Sequence, residues 1–305
     1  MKFNKQLICL LMACTALLAG CSVNKNNADM QTETETQIEN AAQEETTLRK
    51  IDMTKWQYNK ETDVYWQTGI TYCAAPADET YENLGIYVPG TYMTGTDNGD
   101  GTYTCEINAS GTAGSFTAET APIVLPVDTP GYAAMAAPTG YENSTSSYTD
   151  AGFIYVYAGC RGRDAGAPAG VTDLKAAIRY IRYIGDTIPG STDRIFTFGM
   201  SGGAQSALLG ATGDSENMYN PLYYLSAYYE GYKTSTVASH WRIRTGINQS
   251  DTALTTEVNL ALALESYGAD VDFETVWGQA HVEAERTGSS TENFIKWVID
   301  CCNSQ

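Results

Sequence analysis

The chain has 305 residues, with 36 acidic against 18 basic side chains and a formal net charge of −18 at neutral pH. This length is ample for one α/β domain of ordinary size. Binding to nucleic acid needs a basic face, so the charge argues against a nucleic-acid partner. The acidity fits a protein that faces outward from the cell.

The first twenty residues have the pattern of an export signal. Lys2 and Lys5 precede an apolar run at 7–18, which is too short to span a bilayer comfortably. The run ends in Leu-Ala-Gly-Cys at 18–21, which resembles the lipobox of bacterial lipoproteins. The resemblance implies cleavage before Cys21, acyl chains such as palmitate on that residue, and anchoring to the outer face of a bacterial cell membrane. An ordinary signal peptide with a chance cysteine is the alternative.

Residues 21–50 are rich in Asn, Gln, Thr and Glu and poor in large apolar side chains. Such a segment buries too little apolar surface to order itself, so we expect a disordered acidic tether with a reach on the order of 30 Å. The predicted organisation is a signal peptide at 1–20, a lipidated cysteine with its linker at 21–50, and one catalytic domain at 51–305.

The first half of this domain reads as strands. Alternating or continuous apolar runs predict strands at 63–73, 84–89, 102–107, 121–127 and 152–158. Asn-Gly-Asp-Gly at 98–101 predicts a hairpin turn; the same residues hint at calcium, but their spacing does not match an EF-hand loop.

The second half alternates helices and buried strands. Helical periodicity is predicted at 171–183, 204–211, 252–267 and 291–300, and strands at 195–199, 241–247 and 271–277. This alternation predicts an α/β fold with a mainly parallel sheet covered by helices on both faces.

The sharpest motif is Gly-Met-Ser-Gly-Gly at 199–203, which fits the pattern G-x-S-x-G. It lies between a predicted strand and a helix of small residues, the context of a nucleophile elbow. Glycines two before and two after the serine avoid a clash of Cβ atoms with the neighbouring strand and helix. The motif predicts Ser201 as a nucleophile, and an idle serine in a tight turn is the alternative.

A serine hydroxyl needs a base, and the chain has only two histidines, His240 and His281. His281 follows the last predicted strand, whereas His240 precedes a strand. Functional groups of parallel sheets gather at the carboxyl ends of the strands, so we predict His281 as the base.

The base needs a carboxylate, and Asp251 follows the strand at 241–247. The order Ser, Asp, His is that of the hydrolases with a G-x-S-x-G turn. Four other carboxylates near the histidine are interpreted as structural or solvated: Asp272, Glu274, Glu283 and Glu285.

Two backbone N–H groups should stabilise an oxyanion. Gly202 is the first predicted donor, and the loop after the strand at 121–127 supplies the second. Pro130 has no N–H, so Gly131 or Tyr132 must serve, with Gly131 preferred. Two arginines of the loop at 159–164 lie nearby, and structural ion pairs are favoured for them over contact with an acidic substrate: Arg161 and Arg163.

No metal or other cofactor is predicted. The chain has no Cys-x-x-Cys motif and no cluster of histidines. Five cysteines lie beyond the signal and the proposed anchor, and their spacing predicts no pairing: Cys73, Cys105, Cys160, Cys301 and Cys302.

The segments at 167–177 and 199–203 resemble the α/β-hydrolases, most closely bacterial tannase- and feruloyl-esterase-like carboxylesterases. The resemblance extends over most of residues 60–300. It implies Ser201, Asp251 and His281 as catalytic residues, a small-molecule ester as substrate, and hydrolysis of a carboxylic ester, including esters of phenolic acids.

One departure concerns the middle of the domain. Members of this family carry a central strand and a large lid between the elbow helix and the acid-bearing strand, but only about 30 residues lie between Gly213 and Trp241 here. The lid is therefore expected to be reduced or absent, and a missing strand would loosen the sheet near Ser201. A catalytically impaired surface-binding protein and a serine peptidase on the same fold remain alternatives.

Overall fold

The computed structural model describes residues 48–166, 169–202, 220–234 and 236–304. The predicted signal, most of the linker, Cys21 and the predicted helix at 204–211 lie outside the described residues. Within the described part, no helix is both long enough and apolar enough to cross a membrane.

Six strands form the main sheet, in the order β1-β2-β3-β9-β8-β10. Its strands are β1 (Gln57–Asn59), β2 (Val64–Thr71), β3 (Asn83–Pro89), β8 (Ile123–Val127), β9 (Ile154–Ala158) and β10 (Ile195–Gly199). The pairs from β1 to β9 are antiparallel, whereas β8 runs parallel to both β9 and β10. The sheet is therefore mixed: the predicted parallel pairing is confirmed for the strands nearest Ser201, and the first strands depart from it.

Two short hairpins lie outside the main sheet. They pair β4 (Met93–Asp97) with β5 (Tyr103–Ile107), and β6 (Thr112–Ala113) with β7 (Phe116–Thr117). The turn from β4 to β5 is the predicted one at 98–101. Asp97 and Asp100 each accept hydrogen bonds from the residue two positions on, which satisfies these carboxylates within the turn.

A separate two-stranded parallel sheet pairs β11 (His240–Gly246) with β12 (Asp270–Val276). Among the described residues, no strand connects this pair with β10, whose hydrogen-bonded neighbour is β8. The side chains of β8 are fully buried, whereas those of β10 are only partly buried. The expected loosening beside Ser201 stays a prediction, because residues 203–219 lie outside the described part.

Five α-helices are described: α1 (Ser146–Asp150), α2 (Ala169–Tyr183), α3 (Pro221–Leu225), α4 (Leu254–Tyr267) and α5 (Ser290–Asn303). Helix α2 buries Leu174, Ala177 and Ile181, as its period predicts. Helix α3 lies in a tyrosine-rich segment at 219–229. The reduced lid stays a prediction, because residues 203–219 lie outside the described part.

Helix α5 connects the two sheets. The Ser289 side chain caps its start by accepting a hydrogen bond from the N–H of Glu292. On one side the Phe294 ring lies 4.5 Å from that of Phe198 in β10. On the other side Asn293 donates to Glu285, which pairs with Arg242 of β11. The same helix therefore packs beside both β10 and β11.

Candidate active site

Ser201 occupies a strained turn directly after β10. Its φ is +56°, a left-handed backbone conformation that is uncommon for residues other than glycine. Such strain persists only where the surrounding structure holds it, and it concentrates at functional sites. The left-handed φ agrees with the sharp turn of the predicted nucleophile elbow.

Gly202 presses against the loop after β8. A Cβ atom added to Gly202 would lie 2.5 Å from Thr129 O and 2.7 Å from Tyr132 N. Because both contacts are with backbone, no side chain can move aside to make room. The parallel register of β8 and β10 causes this approach, since Val127 lies opposite Gly199 where both strands end.

The loop after β8 presents one unused N–H group beside this serine. Tyr132 N–H donates to Thr129 O over 2.9 Å. The exposed Gly131 N–H has no hydrogen-bond partner among the described residues, and its nitrogen lies 3.1 Å from the position of a Cβ on Gly202. Of the two alternatives for the second donor, Gly131 and Tyr132, Gly131 is therefore the one whose N–H is available for an oxyanion.

The loop after β9 holds the Gly131 loop in place. Met135 and Cys160 exchange two backbone hydrogen bonds of 2.9 and 2.8 Å. Gly162 lies so close to Ala134 that a Cβ on Gly162 would approach Ala134 N to 2.2 Å. Arg163 then donates from Nη1 to Gly131 O over 3.0 Å.

Arg161 is a structural residue, as the sequence favoured. Its guanidinium binds the Asp173 carboxylate through Nε at 2.9 Å and Nη2 at 2.7 Å, and its backbone N–H donates to the same carboxylate. Glu82 lies 3.5 Å away on another side. The hydrogen bond with Asp173 raises the pKa of Arg161 above its ordinary value.

Sequence reasoning did not identify Asp173 and Glu82, although a signal for Asp173 exists. Asp173 lies four and eight residues before the buried Ala177 and Ile181, on the buried stripe of α2. A carboxylate on that stripe requires a cationic partner. Glu82 gives no such local signal, because its contact with Arg161 spans distant parts of the chain.

His281 and Asp251 form a pair at the carboxyl ends of β12 and β11. His281 Nε2 lies 3.1 Å from Asp251 Oδ2. The two loops that carry them are joined by a hydrogen bond of 2.9 Å from Asn248 N to Gln279 O. In addition, Gly246 approaches Ala280 O so closely that a Cβ on Gly246 would lie 2.2 Å from it.

Ser201 and His281 are not hydrogen-bonded to each other in the structure. Nε2 of His281 faces the carboxylate, which leaves Nδ1 as the other ring nitrogen. The His281 side chain is 34 % exposed and that of Asp251 is 57 % exposed. The structure thus brings together Ser201 with the Gly131 loop, and Asp251 with His281, as two groups at the carboxyl ends of parallel strands.

The second histidine lies at the opposite ends of the same strands. His240 Nδ1 lies 3.0 Å from Asp270 Oδ2, and these residues form the first register pair of β11 and β12. Six residues of extended strand separate His240 from Gly246, a distance of about 20 Å. This placement disfavours His240 as the partner of a serine at a carboxyl end.

The rival carboxylates all have other partners. Asp272 binds Arg244 at 2.6 Å, and Glu285 binds Arg242 at 2.7 Å. Glu274 pairs with Arg286, and Glu283 accepts a hydrogen bond from Ser290. These contacts agree with the structural interpretation of all four.

The five cysteines of the described part supply no competing nucleophile. The five thiols in the described part are free. Burial raises the pKa of Cys160, the thiol nearest to Arg161 in the chain, to about 12, so this group stays neutral near pH 7. Within the described residues, no group of three or more His, Cys, Asp or Glu side chains is placed to hold a metal ion.

Comparisons with known proteins identify the family and the fold. The BD-FAE family model matches residues 117–278, a range that includes Ser201 and Asp251 and ends just before His281. No curated protein matches.

Among solved structures, tannin acyl hydrolase from Lactobacillus plantarum is 17 % identical, with a TM-score of 0.62 over 78 % of this chain and 94 % of its own. Tannase from Fusobacterium nucleatum is 16 % identical, with a TM-score of 0.60 over 78 % of this chain and 95 % of its own. Tannin acyl hydrolase has also been solved with 3,4-dihydroxybenzoate and with ethyl gallate, at TM-scores of 0.62 and 0.58 and identities of 17 % and 16 %.

Proposed function

The chain belongs to the BD-FAE family and has the α/β-hydrolase fold, and from this premise we propose that it is a serine carboxylesterase. The observation that carries the proposal is the left-handed Ser201 turn, with Gly202 pressed against a loop that offers a free N–H at Gly131. A strained serine beside the unused Gly131 N–H suits attack on an ester carbonyl.

The proposed reaction begins when Ser201 Oγ attacks the carbonyl carbon and His281 accepts the hydroxyl proton. The N–H groups of Gly202 and Gly131 stabilise the oxyanion, and Asp251 stabilises the charged imidazole. His281 then returns the proton to the leaving alkoxide, which departs as an alcohol. Water attacks the acyl-enzyme with the same residues in the same roles, releasing the acid and restoring Ser201.

The mechanism requires His281 to approach Ser201. His281 and Asp251 are partly exposed and their loops are joined by the Asn248–Gln279 hydrogen bond, so we propose that the two loops move together. Catalytic hydrogen bonds are often long or misaligned without substrate and tighten in the complex. The Asp251–His281 pair is therefore proposed to close on Ser201 when an ester binds.

For the acyl part, we propose a phenolic acid. The support is the fold shared with tannin acyl hydrolase, which was solved with 3,4-dihydroxybenzoate and ethyl gallate. Methyl gallate and methyl ferulate are the first phenolic-acid esters to test as substrates.

The second candidate function is a catalytically impaired binding protein on the hydrolase fold. The observation that favours it is the absence, in the described part, of a strand between β10 and β11, together with the missing Ser201–His281 hydrogen bond. A loosened sheet would leave the serine and its base too far apart for turnover.

Hydrolysis of 4-nitrophenyl acetate separates the two candidates. An esterase turns it over, and Ser201→Ala abolishes the turnover while the circular dichroism spectrum stays unchanged. A folded wild-type protein without turnover, and without labelling by a fluorophosphonate, would favour the binding protein.

We further propose that the exported protein is anchored through lipid on Cys21. The support is the Leu-Ala-Gly-Cys sequence at 18–21, followed by a polar stretch. Metabolic labelling with palmitate in a bacterial host should mark the wild type and not Cys21→Ala. Equal labelling of both proteins would overturn the anchor.

A further inference from the structure

We propose that the site takes esters that carry a carboxylate, and that Arg163 is the residue that binds this group. The inference rests on the proposed esterase function and narrows its substrate class. It follows from the position, exposure and free hydrogen-bonding capacity of the Arg163 guanidinium.

Arg163 reaches the candidate oxyanion loop directly. Its Nη1 lies 3.0 Å from Gly131 O, and Gly131 N is the unused donor beside Gly202. A substrate whose carbonyl oxygen lies between the Gly131 and Gly202 N–H groups therefore has its ester next to this guanidinium. The contact to Gly131 uses one of five N–H donors, which leaves a fork suited to a carboxylate.

Arg161, two residues before Arg163, is paired inside the protein, whereas the Arg163 guanidinium is exposed and can bind a substrate group. Arg161 binds a carboxylate that is only 3 % exposed and also faces Glu82, so its charge is compensated inside the protein. The Arg163 side chain is 70 % exposed. Among the described residues its nearest carboxylate is Asp164, at 4.0 Å and fully exposed, and an ion pair of that kind is worth little.

The negative net charge of the chain increases the effect that Arg163 is expected to have on the preference for charged over neutral esters. At −18, the protein as a whole repels anionic substrates. An exposed guanidinium beside the reacting carbonyl provides local attraction that opposes this overall repulsion. Discrimination between charged and neutral esters is therefore expected to depend on Arg163.

A purely positioning role makes a different prediction. If Arg163 only holds the Gly131 peptide, its loss lowers kcat/KM for charged and neutral esters by the same factor. If Arg163 binds a carboxylate, its loss lowers kcat/KM for the charged ester further, and mainly through KM. The ratio between matched esters separates the two roles.

The test uses two matched ester pairs, one for each part of the substrate. Mono-4-nitrophenyl terephthalate and its methyl ester differ by a carboxylate on the acyl side. 4-Acetoxybenzoate and its methyl ester differ by a carboxylate on the alcohol side. In both anions the carboxylate is para to the reacting group and is too far away to assist hydrolysis by itself.

We expect Arg163→Gln to lower the anionic-to-neutral ratio of kcat/KM about fivefold in one pair or both. The affected pair identifies the part of the ester that carries the carboxylate. Arg163→Lys should retain much of the ratio, and Arg179→Gln, which removes an exposed charge from α2, should leave it unchanged. High salt should reduce the wild-type ratio and not that of Arg163→Gln.

An unchanged ratio in Arg163→Gln for both pairs, with ester turnover intact, would overturn this inference and leave the esterase proposal standing. Absence of turnover for all four esters would overturn the esterase proposal and the inference with it.

Discussion

At the scale of single residues, the candidate site depends on two backbone features that side-chain chemistry does not reveal. Ser201 has a left-handed φ, and Gly202 lies where a Cβ would collide with backbone atoms of the loop after β8. The sequence motif predicts the serine turn, and it attributes steric need to Gly199 and Gly203. The structure shows such crowding at Gly202, against a loop distant in sequence, whereas Gly203 lies outside the described residues and its predicted role stays a prediction.

Gly202→Ala tests this crowding. The added methyl group must displace the loop at Thr129 and Tyr132, which moves the Gly131 N–H away from the oxyanion position. We expect kcat to fall by about 100-fold or more, and stability by about 1–3 kcal/mol. Ester hydrolysis and urea unfolding measure the two effects.

Gly140→Ala is the matched control, because a Cβ there has no heavy atom within 4 Å. Its activity and stability should remain close to wild type. Wild-type kcat in Gly202→Ala would contradict the proposed role of this loop.

The two His–Asp pairs provide a second test at this scale. Asp251→Asn removes the carboxylate from His281, and we expect kcat to fall about 10³-fold or more, because the imidazolium loses its stabilising charge. Asp270→Asn makes the same change beside His240, and kcat should stay within about twofold of wild type. The reverse order of effects would assign the base to His240.

At the scale of elements, the carboxyl ends of the strands gather the candidate groups. β8 ends at the Gly131 loop, β10 at Ser201, β11 before Asp251 and β12 before His281. The loop after β9 supports this edge through the Arg161–Asp173 pair. The positions of the candidate groups at strand ends can thus be predicted from the sequence. The contacts that support these loops, such as the Arg161–Asp173 pair, are seen only in the structure.

The Arg161–Asp173 pair should be important for stability. Asp173→Asn leaves the Arg161 guanidinium with Glu82, 3.5 Å away, as its remaining buried counter-charge. Breaking a buried ion pair costs about 3–5 kcal/mol, and we expect a loss near the lower value because Glu82 remains. Urea unfolding monitored by tryptophan fluorescence measures the loss. Asp164→Asn is the control, because this carboxylate is fully exposed in the loop that carries Arg161, and it should change stability by less than about 0.5 kcal/mol. Equal effects of both changes would refute a structural role for Asp173.

Sequence periodicity predicts most of these strands and helices, but it predicts few of the contacts between them. The strands β2, β3, β8, β9 and β10 and the helices α2, α4 and α5 lie within a few residues of their predicted positions. Alternation of apolar residues carries no information on strand direction, so the antiparallel pairing of β1, β2 and β3 was not predicted. The Glu82–Arg161 contact joins residues 79 positions apart and has no local pattern.

At the scale of the whole molecule, the described part contains two sheets that share helix α5. The six-stranded sheet has buried strands at its centre, whereas β11 and β12 have, among the described residues, only each other as hydrogen-bonded strand neighbours. The proposed nucleophile is on the first sheet, and the proposed base and acid are on the second. Activity therefore depends on how firmly α5 holds the two together.

This division predicts unequal local stability. Amide hydrogens of β11 and β12 should exchange faster than those of β8 and β9, because a two-stranded sheet opens without disrupting the main core. Hydrogen–deuterium exchange with mass spectrometry measures the difference. Equal protection of both sheets would show that they unfold as one cooperative unit.

The central claim is that Ser201 is an activated nucleophile, and the most direct measurement is peptide mapping after reaction with a fluorophosphonate. We expect Ser201 Oγ to displace fluoride and form one covalent phosphonyl adduct, located by mass spectrometry on Ser201 in the peptide that follows Arg194. The adduct should be absent from Ser201→Ala and much slower to form in Asp251→Asn. A folded wild-type protein that forms no adduct, or forms it on another residue, would contradict the claim.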